Sequence, residues 1–125
     1  MLGALLMFCA VAAGAFGAHL LRGYLSPDML AVWQTGVQYQ AWHALALLAV
    51  GLYLQGRAGA RWVQWSGLLF AAGILLFSGS LYLLALTGVR AWGAVTPLGG
   101  AAFLAGWLLL ALGVWRVNPP WRPSP

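Results

Sequence analysis

The chain has 125 residues, 63% of them hydrophobic and 6% charged, and its net charge of +5 comes from arginine set against a single acid. So apolar a composition excludes a soluble catalytic domain, and because the arginines stand apart rather than in a patch it also excludes nucleic acid as a partner. The charges divide the sequence into four uncharged stretches, residues 1–21, 29–56, 62–89 and 91–115, each reaching the roughly 20 residues that a membrane-crossing helix needs. The composition predicts an all-α integral membrane protein, an antiparallel bundle of four transmembrane helices.

The first helix is expected over residues 2–21. Its MLGALLMFCAVAAGA start ends in small residues, as a secretory signal does, but it lacks the basic leader such a signal carries. Cys9 has no second cysteine to pair with and is expected to pack within the helix. The second helix, 27–54, opens on Ser26-Pro27-Asp28: a capping hydroxyl, a proline that needs no amide hydrogen, and an acid at the positive end of the helix dipole. At about 1.5 Å per residue it exceeds a hydrocarbon core of roughly 30 Å, so its early part around Trp33–Gln38 is expected to project into the outer interface. The third helix, 62–87, follows the QGRAGAR turn. The fourth, 97–117, opens on Thr96-Pro97. These helices form one domain over 1–117, and the tail NPPWRPSP, 118–125, reads as an extended cytoplasmic segment.

With the first helix entering from the cytoplasm, Arg57, Arg61, Arg116 and Arg122 lie inside, while Arg22, Arg90 and Asp28 lie outside. This asymmetry predicts a bacterial cytoplasmic membrane protein with both termini cytoplasmic. Trp62, Trp65, Trp115 and Trp121 on the inner side, and Trp33 and Trp92 on the outer, read as interfacial anchors.

Small residues recur every seven positions: Gly3, Ala10 and Gly17; Ala44 and Gly51; Ser66, Gly73 and Ser80; Gly99, Gly106 and Gly113. In lipid, where helices associate by close packing, this spacing predicts left-handed seams through Gly17, Gly51, Gly73, Ser80, Gly99, Gly106 and Gly113, with Gly79 beside them.

The uncharged polar residues concentrate in the outer half: His19, Gln34, Tyr39, Gln40, His43, Ser78, Tyr82 and Thr96. Polar groups in a bilayer need partners or water, so this shared depth predicts a network or a wet pocket open to the outer face. Ser78 is expected to bond the backbone one turn back, Tyr82 to serve as an anchor or a network member, and His19 either to meet the free carbonyls at its helix end or to act as a ligand. His43, one turn from Tyr39 on the same face, needs a partner from another helix and is either a structural hydrogen-bonding group or a ligand-binding one. Two histidines without a supporting cysteine or carboxylate make a poor metal or haem set, and there is no intramembrane acid, phosphate loop or nucleophile elbow. No cofactor and no enzymatic activity are expected. Two helix starts on the outer side, near Arg22 and Arg90, favour a lipid headgroup or small anion.

The motifs GAFGAH (14–19), WQTGVQYQAWH (33–43), LFSGSLY (76–82) and VTPLGGAAFLAGW (95–107), in this order, resemble a small bacterial inner-membrane family of unknown function, the YgdD-like proteins, related to animal transmembrane protein 256. The resemblance implies a four-helix inner-membrane protein and supplies no mechanism. The leading expectation is a structural or binding protein whose outer-half polar site takes a lipid headgroup, a small solute or a partner helix. The alternatives are a small transporter or channel component acting as a homo-oligomer, and a haem- or quinone-linked redox subunit using His19 and His43.

Overall fold

The computed structural model describes residues 1–57 and 60–117, the side chain of Val117 excepted; the tail, with Trp121 and Arg122, lies outside the described residues. The described chain is all helical: α1 (Leu2–His19), α2 (Pro27–Tyr53), α3 (Arg61–Gly73), α4 (Gly79–Thr87) and α5 (Thr96–Val117). The start of α2 follows from its sequence, since Ser26 is extended, its hydroxyl accepts from the Met29 amide, and Pro27 takes the first helical position. At the far end of α4, Gly88 turns the chain with φ of 69°, a left-handed conformation that relieves the last carbonyls and that glycine adopts without a Cβ penalty.

The third predicted helix is two helices in one rod. Residues Ile74–Ser78 form a π segment between α3 and α4, where the Gly79 amide reaches back to the Ile74 carbonyl. The Ser80 hydroxyl donates to the Phe77 carbonyl at 2.9 Å, giving a donor to a backbone acceptor at this widened turn.

Among the described residues, three segments are long and apolar enough to cross a membrane: Leu2–Gly23, Arg61–Thr87 and Arg90–Arg116. The fourth rod, α2, is not among them, because Gln34, Thr35, Gln38, Gln40 and His43 dilute its apolar character. It nevertheless sits centrally, packed on α1 along one flank and on the α3–α4 rod along another, while α5 packs along that same rod and reaches α2 through Phe103 and Trp107. Numbers rise along one helix as they fall along its neighbour: Gly3 meets Ala44 and Leu48 whereas Gly17 meets Trp33, and Gly67 meets Val50 whereas Gly36 meets Tyr82.

The closest seam lies between α5 and the α3–α4 rod. A Cβ at Gly99, Gly106 or Gly113 would run into Phe77, Phe70 or Val63 respectively, so glycines spaced by seven receive large residues spaced by seven in reverse order. Gly73 accepts the Phe103 ring in return, and Gly17 accepts the indole of Trp33. Two predicted seam members lie elsewhere. Gly51 has nothing within 4 Å of its notional Cβ, because its face of α2 opposes no helix and borders an apolar cleft of about 480 Å³. Gly79 is equally open: Ser80 points at α5, and a neighbouring position on a helix is rotated about 100° away. Cys9, expected to pack, is exposed on α1.

Candidate functional site

The polar residues expected to share the outer half fall into three separate groups rather than one site. The first stitches α1, α2 and α4 together. The Tyr82 hydroxyl donates to Gln40 Oε1 at 2.8 Å, and Gln40 Nε2 donates to the Leu6 carbonyl at 2.9 Å. One heptad away on α2, Trp33 Nε1 donates to the Ala13 carbonyl at 2.9 Å and its ring packs on Tyr82 at 4.5 Å. Donors at 33 and 40 thus reach carbonyls at 13 and 6. Those carbonyls are open to a second helix because the residue one turn on, Gly17 or Ala10, has little or no side chain to cover them. Trp33, expected at the interface, is therefore a buried crosslink, 7% exposed.

The second group joins α4 to α5. Ser80 Oγ and Thr96 Oγ1 lie 2.7 Å apart. Because the single Ser80 hydrogen serves the Phe77 carbonyl, the Thr96 hydroxyl donates in this pair.

The third group centres on His43. Its Nδ1 lies 2.7 Å from the Tyr39 carbonyl, and its Nε2 receives the indole N–H of Trp107 at 3.1 Å. An indole nitrogen only donates, so Nε2 is the unprotonated acceptor and Nδ1 carries the hydrogen given to the carbonyl, which defines a neutral imidazole of one tautomer. Phe103 stacks on the ring at a centroid distance of 3.5 Å with planes 8° apart. Both nitrogens are engaged, and metal coordination through Nε2 would require loss of the Trp107 bond. Among the described residues no three histidine, cysteine or acidic side chains come together.

Beside His43 a cleft of about 580 Å³ opens between α2 and α5, within the range of ligand-sized pockets. Tyr39, His43, Phe77, Phe103 and Trp107 wall it with rings, and Pro97, Gly100, Ala101 and Leu104 complete it. Tyr39 packs on Phe77 at 4.4 Å, and its hydroxyl has no hydrogen-bond partner among the described residues.

Three predicted members stand outside these groups. His19 is exposed at the end of α1, and Gln34 is exposed on the outer face of α2. The Ser78 hydroxyl, expected to bond its own helix, is fully buried without a partner among the described residues, because the π segment lengthens the turn that would have supplied its carbonyl. Sequence reasoning missed Trp107 as the partner of His43. The available signal was an indole donor in the middle of an apolar helix, a group that needs an acceptor when half-buried.

The fold and its intramembrane polar groups define a helical membrane protein with three apolar spans. The chain belongs to the family described as a protein of unknown function (DUF423), whose model matches residues 13–100. It is 48% identical over 116 residues to a UPF0382 membrane protein of Staphylococcus saprophyticus, covering 93% of this chain and 95% of that one. It is 47% identical over 111 residues to the UPF0382 inner membrane protein YgdD of Escherichia coli K12, covering 89% and 84%. No solved structure matches.

Proposed function

We propose that this protein is a four-span antiparallel bundle of the inner membrane that binds the apolar chain of a membrane lipid in the cleft between α2 and α5. One observation carries this reading: a ring-lined cleft of about 580 Å³ whose polar group without a protein partner, the Tyr39 hydroxyl, is placed to serve an oxygen of a guest. From Pro97 to Trp107 the cleft follows α5 for about 15 Å, roughly half of a hydrocarbon core, the length of one leaflet. Lipid tails reach it from the side and the polar end of the guest lies towards Thr96 and Arg90.

The orientation has both termini cytoplasmic. Arg116 lies over the Trp62 ring at 4.4 Å, which groups it with the neighbouring Arg61 at one end of the bundle, whereas Arg22 and Asp28 flank the turn at the other. Binding is favoured over conduction because the layer beyond His43 is filled by Ala44, Phe70 and Ile74, all buried, and Ser66 spends its hydrogen on the Val63 carbonyl. A binding role also leaves His43 as a wall of the cleft held in place by Trp107, without a catalytic or redox duty.

The test is lipid extraction and mass spectrometry of the protein purified in mild detergent, alongside Gly100→Leu and Tyr39→Phe. A Cβ at Gly100 meets only the Phe77 ring, at 3.9 Å, so leucine there fills the cleft without forcing backbone apart. The reading predicts a stoichiometric co-purifying lipid that Gly100→Leu loses. Equal lipid in wild type and Gly100→Leu overturns it.

A further inference from the structure

The outward face of α2 changes character halfway along. Towards its C-terminal end it presents Trp42, Leu45 and Leu52, all exposed and apolar, as a lipid-facing stripe should be. Towards its start the same stripe presents Gln34, Thr35 and Gln38, lining a hollow of about 450 Å³ with Ala31 and Val37. Thr35 is served by the Ala31 carbonyl at 3.0 Å, but neither glutamine has a hydrogen-bond partner among the described residues.

Depth makes these glutamines anomalous. The contact of Gly17 with Trp33 sets Gln34 level with Phe16, and the contact of Gly36 with Tyr82 sets Thr35 level with Leu83. Phe16, Leu83 and, a little further out, Leu86 are all exposed apolar residues. At one depth, then, α1 and α4 present exposed apolar side chains while α2 presents two unserved amides. An amide in hydrocarbon needs a hydrogen-bonding partner, and interhelical bonds from glutamine are among the ways membrane helices associate.

We infer that this face is the contact between two copies of the chain, related by a two-fold axis along the membrane normal. In such a pair α2 lies parallel to α2 of the second copy, and Gln34 meets Gln34 while Gln38 meets Gln38. The amide suits its own copy: it carries donor and acceptor together and no charge, so an isologous contact satisfies both groups without repulsion. Ala31 and Thr35, both short, let the two backbones approach, and the hollow between the glutamines gives each long side chain room to cross. The contact lies on the flank of α2 away from the ring-lined cleft and does not depend on what that cleft binds.

The experiment is oxidative crosslinking in lipid nanodiscs of Gln38→Cys, in a Cys9→Ser background that removes the lone native thiol. Leu108→Cys, on the exposed face of α5, serves as the control for random collision. The inference predicts a two-chain product that is several-fold more abundant for Gln38→Cys than for Leu108→Cys, and a shift from two chains to one in the Gln34→Leu/Gln38→Leu protein. Crosslinking no better than the control, or a wild-type protein that is monomeric in nanodiscs, overturns it.

Discussion

The seam between α5 and the α3–α4 rod predicts opposite outcomes for the same substitution at two glycines. A Cβ at Gly99 would stand 2.7 Å from both Cα and Cβ of Phe77, against an ordinary carbon separation of about 3.5–4.0 Å, so α5 must move away by about 1 Å. The atoms it meets belong to the backbone and root of Phe77, which cannot rotate aside. Overpacking of this kind costs about 1–3 kcal/mol, and the better helix propensity of alanine offsets at most about 1 kcal/mol of it. With that offset in full, Gly99→Ala is destabilising by up to about 2 kcal/mol. At Gly51 the added methyl meets nothing within 4 Å, so only the propensity gain remains and Gly51→Ala is neutral or stabilising by up to about 1 kcal/mol. Reversible unfolding of both variants in mixed micelles, followed by far-ultraviolet circular dichroism, measures the difference, about 1–3 kcal/mol in favour of Gly51→Ala. Equal stability of the two variants would refute the seam as the glycines' purpose.

Other substitutions separate the hydrogen-bonded groups. Trp107→Phe leaves His43 Nε2 without its donor and should cost about 1–2 kcal/mol, while adding His43→Leu should cost less than the sum of the two single changes; additive losses would mean that the pair is uncoupled. Tyr82→Phe and Gln40→Leu break the same chain from Tyr82 to the Leu6 carbonyl, so the double variant should lose little more than Gln40→Leu alone, as unfolding in the same micelles would report. Ser78→Ala removes a buried hydroxyl that has no partner and should be neutral or stabilising by about 1 kcal/mol; a loss of that size would reveal a polar partner at Ser78.

Features local to one helix were legible in the sequence, and the neighbour that each side chain meets was not. The start of α2 is written in Ser26-Pro27-Asp28, and a period of seven in α5 marks the face that packs, because both are local properties of one helix. Which neighbour a side chain meets is a property of two helices. The sequence assigns His19, Gln34 and His43 to one half of the bundle, yet α1 leaves His19 exposed and α2 exposes Gln34 while burying His43. Trp33 reads as an anchor from its position near a helix start, but the carbonyl it bonds, Ala13, is uncovered by a glycine on another helix. The π segment was equally hidden: no proline marks residues 74–78, and its consequences appear only in the partnerless Ser78 and in the turn that Ser80 serves.

The most direct test of lipid binding in the α2–α5 cleft is photolabelling in native membranes with a phospholipid that carries a diazirine in its acyl chain, followed by mapping of the labelled residues. The account predicts labelling concentrated on Phe77, Phe103, Leu104 and Trp107 and lost from them in Gly100→Leu. Labelling no stronger there than on Phe8 and Val11, which face lipid along α1, would contradict it.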